Sequence, residues 1–159
     1  MATEGKGIVL PPGEGETVSL PGNEISFIHR NPDGAYSLVE WVAAPGAPGT
    51  PLHTHEVTDE GFYVLEGAMR GLCGDQTWHA ESGSFVWLPR GIPHSYAVDG
   101  EETLRSLAIT LPAGFERFVA EAGEPARERT LPPPGEPDIE KLNAAAAKVG
   151  IEHLGPPEQ

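Results

Sequence analysis

Turn-forming residues interrupt this chain at intervals of roughly 8–12 positions, so the apolar runs between them are long enough for short strands and little else. Thr17–Leu20 is followed by Pro21-Gly22-Asn23, Ile25–His29 by Asn31-Pro32-Asp33-Gly34, and Tyr36–Val42 by Pro45-Gly46-Ala47-Pro48-Gly49. Ile8–Leu10, Phe62–Leu65, Ala68–Cys73, Thr77–Ala80, Phe85–Leu88, His94–Val98 and Thr103–Leu111 complete the expected strands. Gly (20) and Pro (17) supply nearly a quarter of the 159 residues, in clusters rather than in one low-complexity block. Many short strands at this spacing predict an all-β sandwich or barrel, not a parallel α/β sheet.

The last third reads differently. Phe115, Phe118 and Val119 fall at i, i+3 and i+4, the pattern of an amphipathic helix ending before Gly123 and packed as a lid on the barrel mouth. Leu131-Pro132-Pro133-Pro134-Gly135 is a stiff linker. Beyond it, Asp138 can cap an alanine-rich helix that Gly150 stops. The expected organisation is one domain, a β-barrel over residues 1–111 with a helical extension over 112–159 packed on it.

Charge narrows the function. Ten basic against 24 acidic residues give a net charge of −14, a surface that repels nucleic acid and anionic membranes. No apolar stretch approaches a membrane span, no basic-then-apolar leader precedes Gly7, and the lone Cys73 has no internal disulfide partner. A cytoplasmic protein is expected.

Three histidines and a glutamate carry the chemistry. His53 and His55 lie two apart in an expected strand, so both imidazoles face one side. Glu60 follows at the start of the next strand, where a hairpin would return it beside them, and His94 lies on a separate strand. Three imidazoles and a carboxylate suit one divalent transition metal: Fe, Ni, Mn, Co or Zn. His29, His79 and His153 lack ligand spacing and read as surface or hydrogen-bonded residues; Glu56 and Asp59 read as solvated loop residues.

These residues resemble the two motifs of the cupin superfamily, whose members are double-stranded β-helix (jelly-roll) barrels. The first motif, G-x5-H-x-H-x3,4-E-x6-G, is matched by His53, His55, Glu60 and Gly67; the second, G-x5-P-x-G-x2-H-x3-N, by Gly83, Pro89, Gly91 and His94. The 15 residues between Gly67 and Gly83 are similar to the short intermotif spacing of microbial cupins. Ala47 and Val98 stand where the motifs have their first Gly and last Asn. The Pro-rich start, the Phe115–Gly123 helix and the tail Gly150–Pro157 resemble single-domain, quercetin 2,3-dioxygenase-like cupins.

The resemblance implies a metal-dependent dioxygenase that opens a flavonol or similar aromatic or enolic substrate with O2. Glu60 would be both ligand and general base. An aromatic-lined pocket is then required. Phe62 and Tyr96 share strand parity with Glu60 and His94 and are the first choices, with Tyr36, Trp41, Phe85 and Trp87 further candidates. Homodimer formation is expected, because barrel edges need cover. Two other classes fit the same motifs: a non-oxidative metal-dependent cyclase or isomerase acting on a polyketide-like molecule, and a non-catalytic small-molecule binder.

Overall fold

The computed structural model describes residues 7–29 and 34–157. The chain runs β1 (Glu16–Leu20), β2 (Glu24–His29), β3 (Ser37–Ala43), β4 (Pro51–His55), β5 (Asp59–Glu66), β6 (Ala68–Cys73), β7 (Gln76–Glu81), β8 (Phe85–Leu88), β9 (His94–Asp99) and β10 (Leu104–Leu111). It ends α1 (Phe115–Ala122), β11 (Glu124–Pro125), α2 (Ile139–Ala147), β12 (Ile151–Pro157). The strands make two antiparallel sheets, ordered β11-β1-β2-β3-β10-β5-β8 and β12-β4-β9-β6-β7. This is a jelly-roll barrel.

Alternation sets which side of each strand faces in. Ser37, Val39, Trp41 and Ala43 on β3 are buried, with half-buried residues between them, and β10 repeats the pattern through Leu104, Ser106, Ala108 and Thr110. The two strands pair with Val39 opposite Ala108 and Trp41 opposite Ser106, so their inward faces form one wall. Phe62, Val64, Met69, Leu88, Tyr96 and Leu104 fill the space between the sheets. Full burial of each such side chain contributes about 1.5–3 kcal/mol of transfer free energy. Two glycines are required by geometry. Gly67 turns β5 into β6 at φ +73, and a Cβ on Gly71 would lie 2.3 Å from the Trp78 ring that crosses its strand.

The C-terminal segment closes the molecule. Asp138 caps α2 by accepting from the Lys141 backbone N–H at 3.0 Å. Segment 112–159 is not purely helical: β11 joins β1 in the larger sheet, and β12 joins β4 in the smaller. The prolines of β12 are tolerated because this strand lies at a sheet edge. Ile8–Leu10, expected as a strand, is not one, and its side chains are exposed. The Asn31–Asp33 part of the expected turn lies outside the described residues. No described helix is long and apolar enough to cross a membrane.

Candidate metal centre and its cavity

His53 and His55 project from the same face of β4, as their spacing of two requires, and both are buried. His94 opens β9 directly opposite His53 in the strand register. Glu60, fully buried, comes from β5 in the other sheet. The expected β4–β5 hairpin is therefore incorrect. The chain crosses between sheets at residues 56–58, and Glu60 meets the histidines across the barrel interior rather than along a shared ladder. The four side chains each offer a ligand atom within 4.8 Å of all the others.

Each imidazole is held by its Nδ1. His53 Nδ1 lies 2.7 Å from the Pro51 carbonyl, His94 Nδ1 3.0 Å from the Ile92 carbonyl, and His55 Nδ1 2.9 Å from Thr58 Oγ1. A carbonyl can only accept, so Nδ1 of His53 and of His94 carries a hydrogen and Nε2 is the nitrogen left free of the backbone. Nε2 of His94 and of His55 stand 3.2 and 3.4 Å from Glu60 Oε2. Tyr96 donates its hydroxyl to the other carboxylate oxygen at 3.3 Å.

Protonation follows from burial. Desolvation pushes His53 down to about 3, reinforced by His94 beside it. Desolvation also lowers His55, against the pull of Glu60. Burial alone would raise Glu60, but His55, His94 and His53 together hold it below the usual carboxylate range. Burial and the Glu60 charge push the Tyr96 hydroxyl well above its ordinary value, so Tyr96 stays a donor. Three imidazoles and a carboxylate match the donor set of a first-row divalent metal. His55 Nε2 is a buried nitrogen with no hydrogen-bond partner, a cost that a metal would remove.

The support around the centre extends further. Arg90 forks onto Asp59, Nε to Oδ1 at 3.2 Å and Nη2 to Oδ2 at 2.7 Å, and its backbone N–H donates to Oδ1 as well. Asp59 is thus not merely a solvated loop residue; it ties the start of β5 to the loop before His94. The Gly91 N–H donates to the His55 carbonyl, binding the same loop to β4. Glu56 is exposed. His79 pairs with Asp99 at the surface, and His153 is hydrogen-bonded to Asn143.

Beside the centre lies a cavity of about 150 Å³, with His53 in its wall. Of the aromatic candidates, Trp41, Phe62 and Tyr96 line it. Their rings contact one another, with Phe62 4.7 Å and Trp41 5.7 Å from Tyr96. Tyr36, Phe85 and Trp87 are not among the residues that line this cavity. Tyr36 precedes Ser37 and so has the outward parity, while Phe85 and Trp87 alternate with the inward Val86 and Leu88. Phe85 is 62% exposed and Trp87 45%. Phe115, Phe118 and Val119 from α1 line the cavity, as do Ile139 and Leu142 from α2, Ile151 and His153 from β12, and Glu24 and Ser26 from β2. The residues of β2, α2 and β12 had no sequence signal of their own, because nothing local shows where a tail folds back.

Residues 39–110 match the family described as "Cupin domain", a span that holds all four metal-centre residues. The chain is 29% identical over 150 residues to a protein of Bacillus subtilis (strain 168) named quercetin 2,3-dioxygenase; the match covers 92% of this chain and 44% of that one, so this chain spans less than half the relative's length. Among solved structures, KdgF from Halomonas sp. superposes with a TM-score of 0.62 at 21% identity, covering 70% of this chain and 98% of that one. A predicted oxalate decarboxylase from Thermotoga maritima gives 0.59 at 18% identity, covering 67% and 100%. These two similarities concern the fold.

Proposed function

We propose that this cupin is a metal-dependent dioxygenase that opens a small aromatic or enolic substrate with O2. The observation that supports it is that His53, one of the three-histidine, one-glutamate cluster, stands in the wall of an aromatic-lined cavity. His53, His55, Glu60 and His94 would hold Fe, Ni, Mn, Co or Zn. When bound, such an ion supplies Lewis acidity that favours the deprotonated form of an enolic hydroxyl.

The protein's own groups do the rest. Glu60, ionised and buried, takes the proton from the substrate hydroxyl, and Tyr96 steadies the carboxylate by donating to its other oxygen. Trp41, Phe62 and Phe115 line the cavity with carbon and would exclude water from a bound ring. A volume of about 150 Å³ accommodates one aromatic ring with the walls at rest. A three-ring flavonol requires the α1 and α2 cover to move, so single-ring substrates are favoured on size.

The test begins with elemental analysis of protein purified without added metal or chelator, then oxygen-electrode assays with flavonols and single-ring hydroxypyranones. One metal per chain with substrate-dependent oxygen uptake is the expected result. Bound metal with product formed under strict anaerobiosis would replace the oxidative reading by a cyclase or isomerase. No metal after reconstitution would refute the centre. Glu60→Gln should keep the fold and reduce turnover at least ~100-fold; unchanged turnover would remove Glu60 from the role of base.

A further inference from the structure

A second carboxyl group faces the cavity. Glu24, at the start of β2, lines the wall with Ser26, two residues on. Its side chain is hydrogen-bonded to Trp41. An indole N–H can only donate, so the carboxyl accepts there. Most of the surrounding wall is carbon, from Leu20, Val39, Phe62, Phe118 and Leu142.

Burial pushes the Glu24 carboxyl up to about 8, and the Trp41 hydrogen bond offsets only part of this. The described residues of the wall include no lysine or arginine. A protonated carboxyl keeps an O–H to donate as well as an oxygen that accepts. Trp41 links this group to the wall beside the metal centre, since it bonds Glu24 and contacts Tyr96, the donor to Glu60.

We infer that Glu24 is a substrate-recognition residue, and that the cavity selects an enolic ring whose end away from the metal centre carries an uncharged oxygen, hydroxyl or carbonyl, over one ending in a methyl group or an anion. The inference rests on the metal-centre reading above. An anionic end group would face a wall with no lysine or arginine and would itself lose water, which costs more than the missing hydrogen bond of a methyl group.

Three 5-hydroxy-4-pyranones test it, alike in their chelating pair but carrying hydroxymethyl, methyl or carboxylate at ring position 2. Binding to the cobalt-loaded protein is measured by calorimetry and by the cobalt absorption bands. The hydroxymethyl compound should bind about fivefold more tightly than the methyl compound, and the carboxylate at least ~10-fold more weakly than the methyl compound. In Glu24→Leu the hydroxymethyl-to-methyl ratio should fall to about one, while Glu24→Gln, whose amide also donates, should retain the preference. Equal binding of all three by the native protein, or a preference that survives Glu24→Leu, would overturn the assignment of Glu24 alone. If none of the three perturbs the cobalt bands, the metal-centre reading fails and takes this inference with it.

Discussion

Replacing Glu24 by Gln should make the protein more stable at neutral pH, by an amount that grows with pH. The folded chain holds this carboxyl at about 8 against an ordinary 4.5. Between those values the unfolded chain has released the proton and the folded chain has not, so the unfolded state binds fewer protons and stability falls as pH rises. The slope approaches 1.4 kcal/mol per pH unit, or about 3 kcal/mol accumulated by pH 7. Part of the Glu24 surface faces the open cavity space, which makes that figure an upper bound. Glutamine keeps the shape and the acceptor for Trp41 but never ionises, so its stability lacks this slope. Urea denaturation of both chelator-treated proteins at pH 4.5 and 7.5 measures the difference, since every other titrating group is common to both. The two should be nearly equal at pH 4.5, with the variant ahead by about 1–3 kcal/mol at pH 7.5. A constant offset across the range would refute the claim that Glu24 is held protonated.

Other outcomes follow from the same geometry. Thr58→Val removes the partner of His55 Nδ1 and should weaken metal binding about tenfold with the fold intact, read by competition with a chromogenic chelator. His53, held at about 3, should make the metal-free protein lose stability as pH falls below 6.5, because the unfolded state then binds the extra proton; the loss is about 2 kcal/mol by pH 5, and His53→Gln should flatten it. Light scattering should give about twice the 16.9 kDa chain mass, and Trp87→Asp should lower it to the monomer if the exposed Tyr63, Phe85 and Trp87 cover one another between two copies.

The jelly roll and the clustering of His53, His55, Glu60 and His94 were legible because both depend on short-range spacing. Turn residues punctuate the strands, and His53 and His55 must share a face whatever their partners. Glu60 was legible as a participant but not in its approach, because its distance from His55 in sequence fits a hairpin as well as a crossing between sheets. The cavity was legible only where strand parity could be referred to a ligand, as for Phe62 and Tyr96. Phe85 and Trp87 stand on an edge strand whose inward face is set by pairing with β5, a long-range fact. Glu24 and the β12 strand were missed for the same reason: an acidic strand start and a proline-containing tail look solvent-facing until distant residues cover them.

The four metal-centre residues lie between positions 53 and 94, whereas much of the cavity's cover comes from positions 115 to 153. The candidate metal centre and the helical part of the cavity's cover thus come from separate stretches of the chain. Substitutions in α1, α2 or β12 can change which molecule enters without touching the atoms that would bind the ion. A lineage built on this arrangement can acquire new substrates by drift in its tail while its chemistry stays fixed.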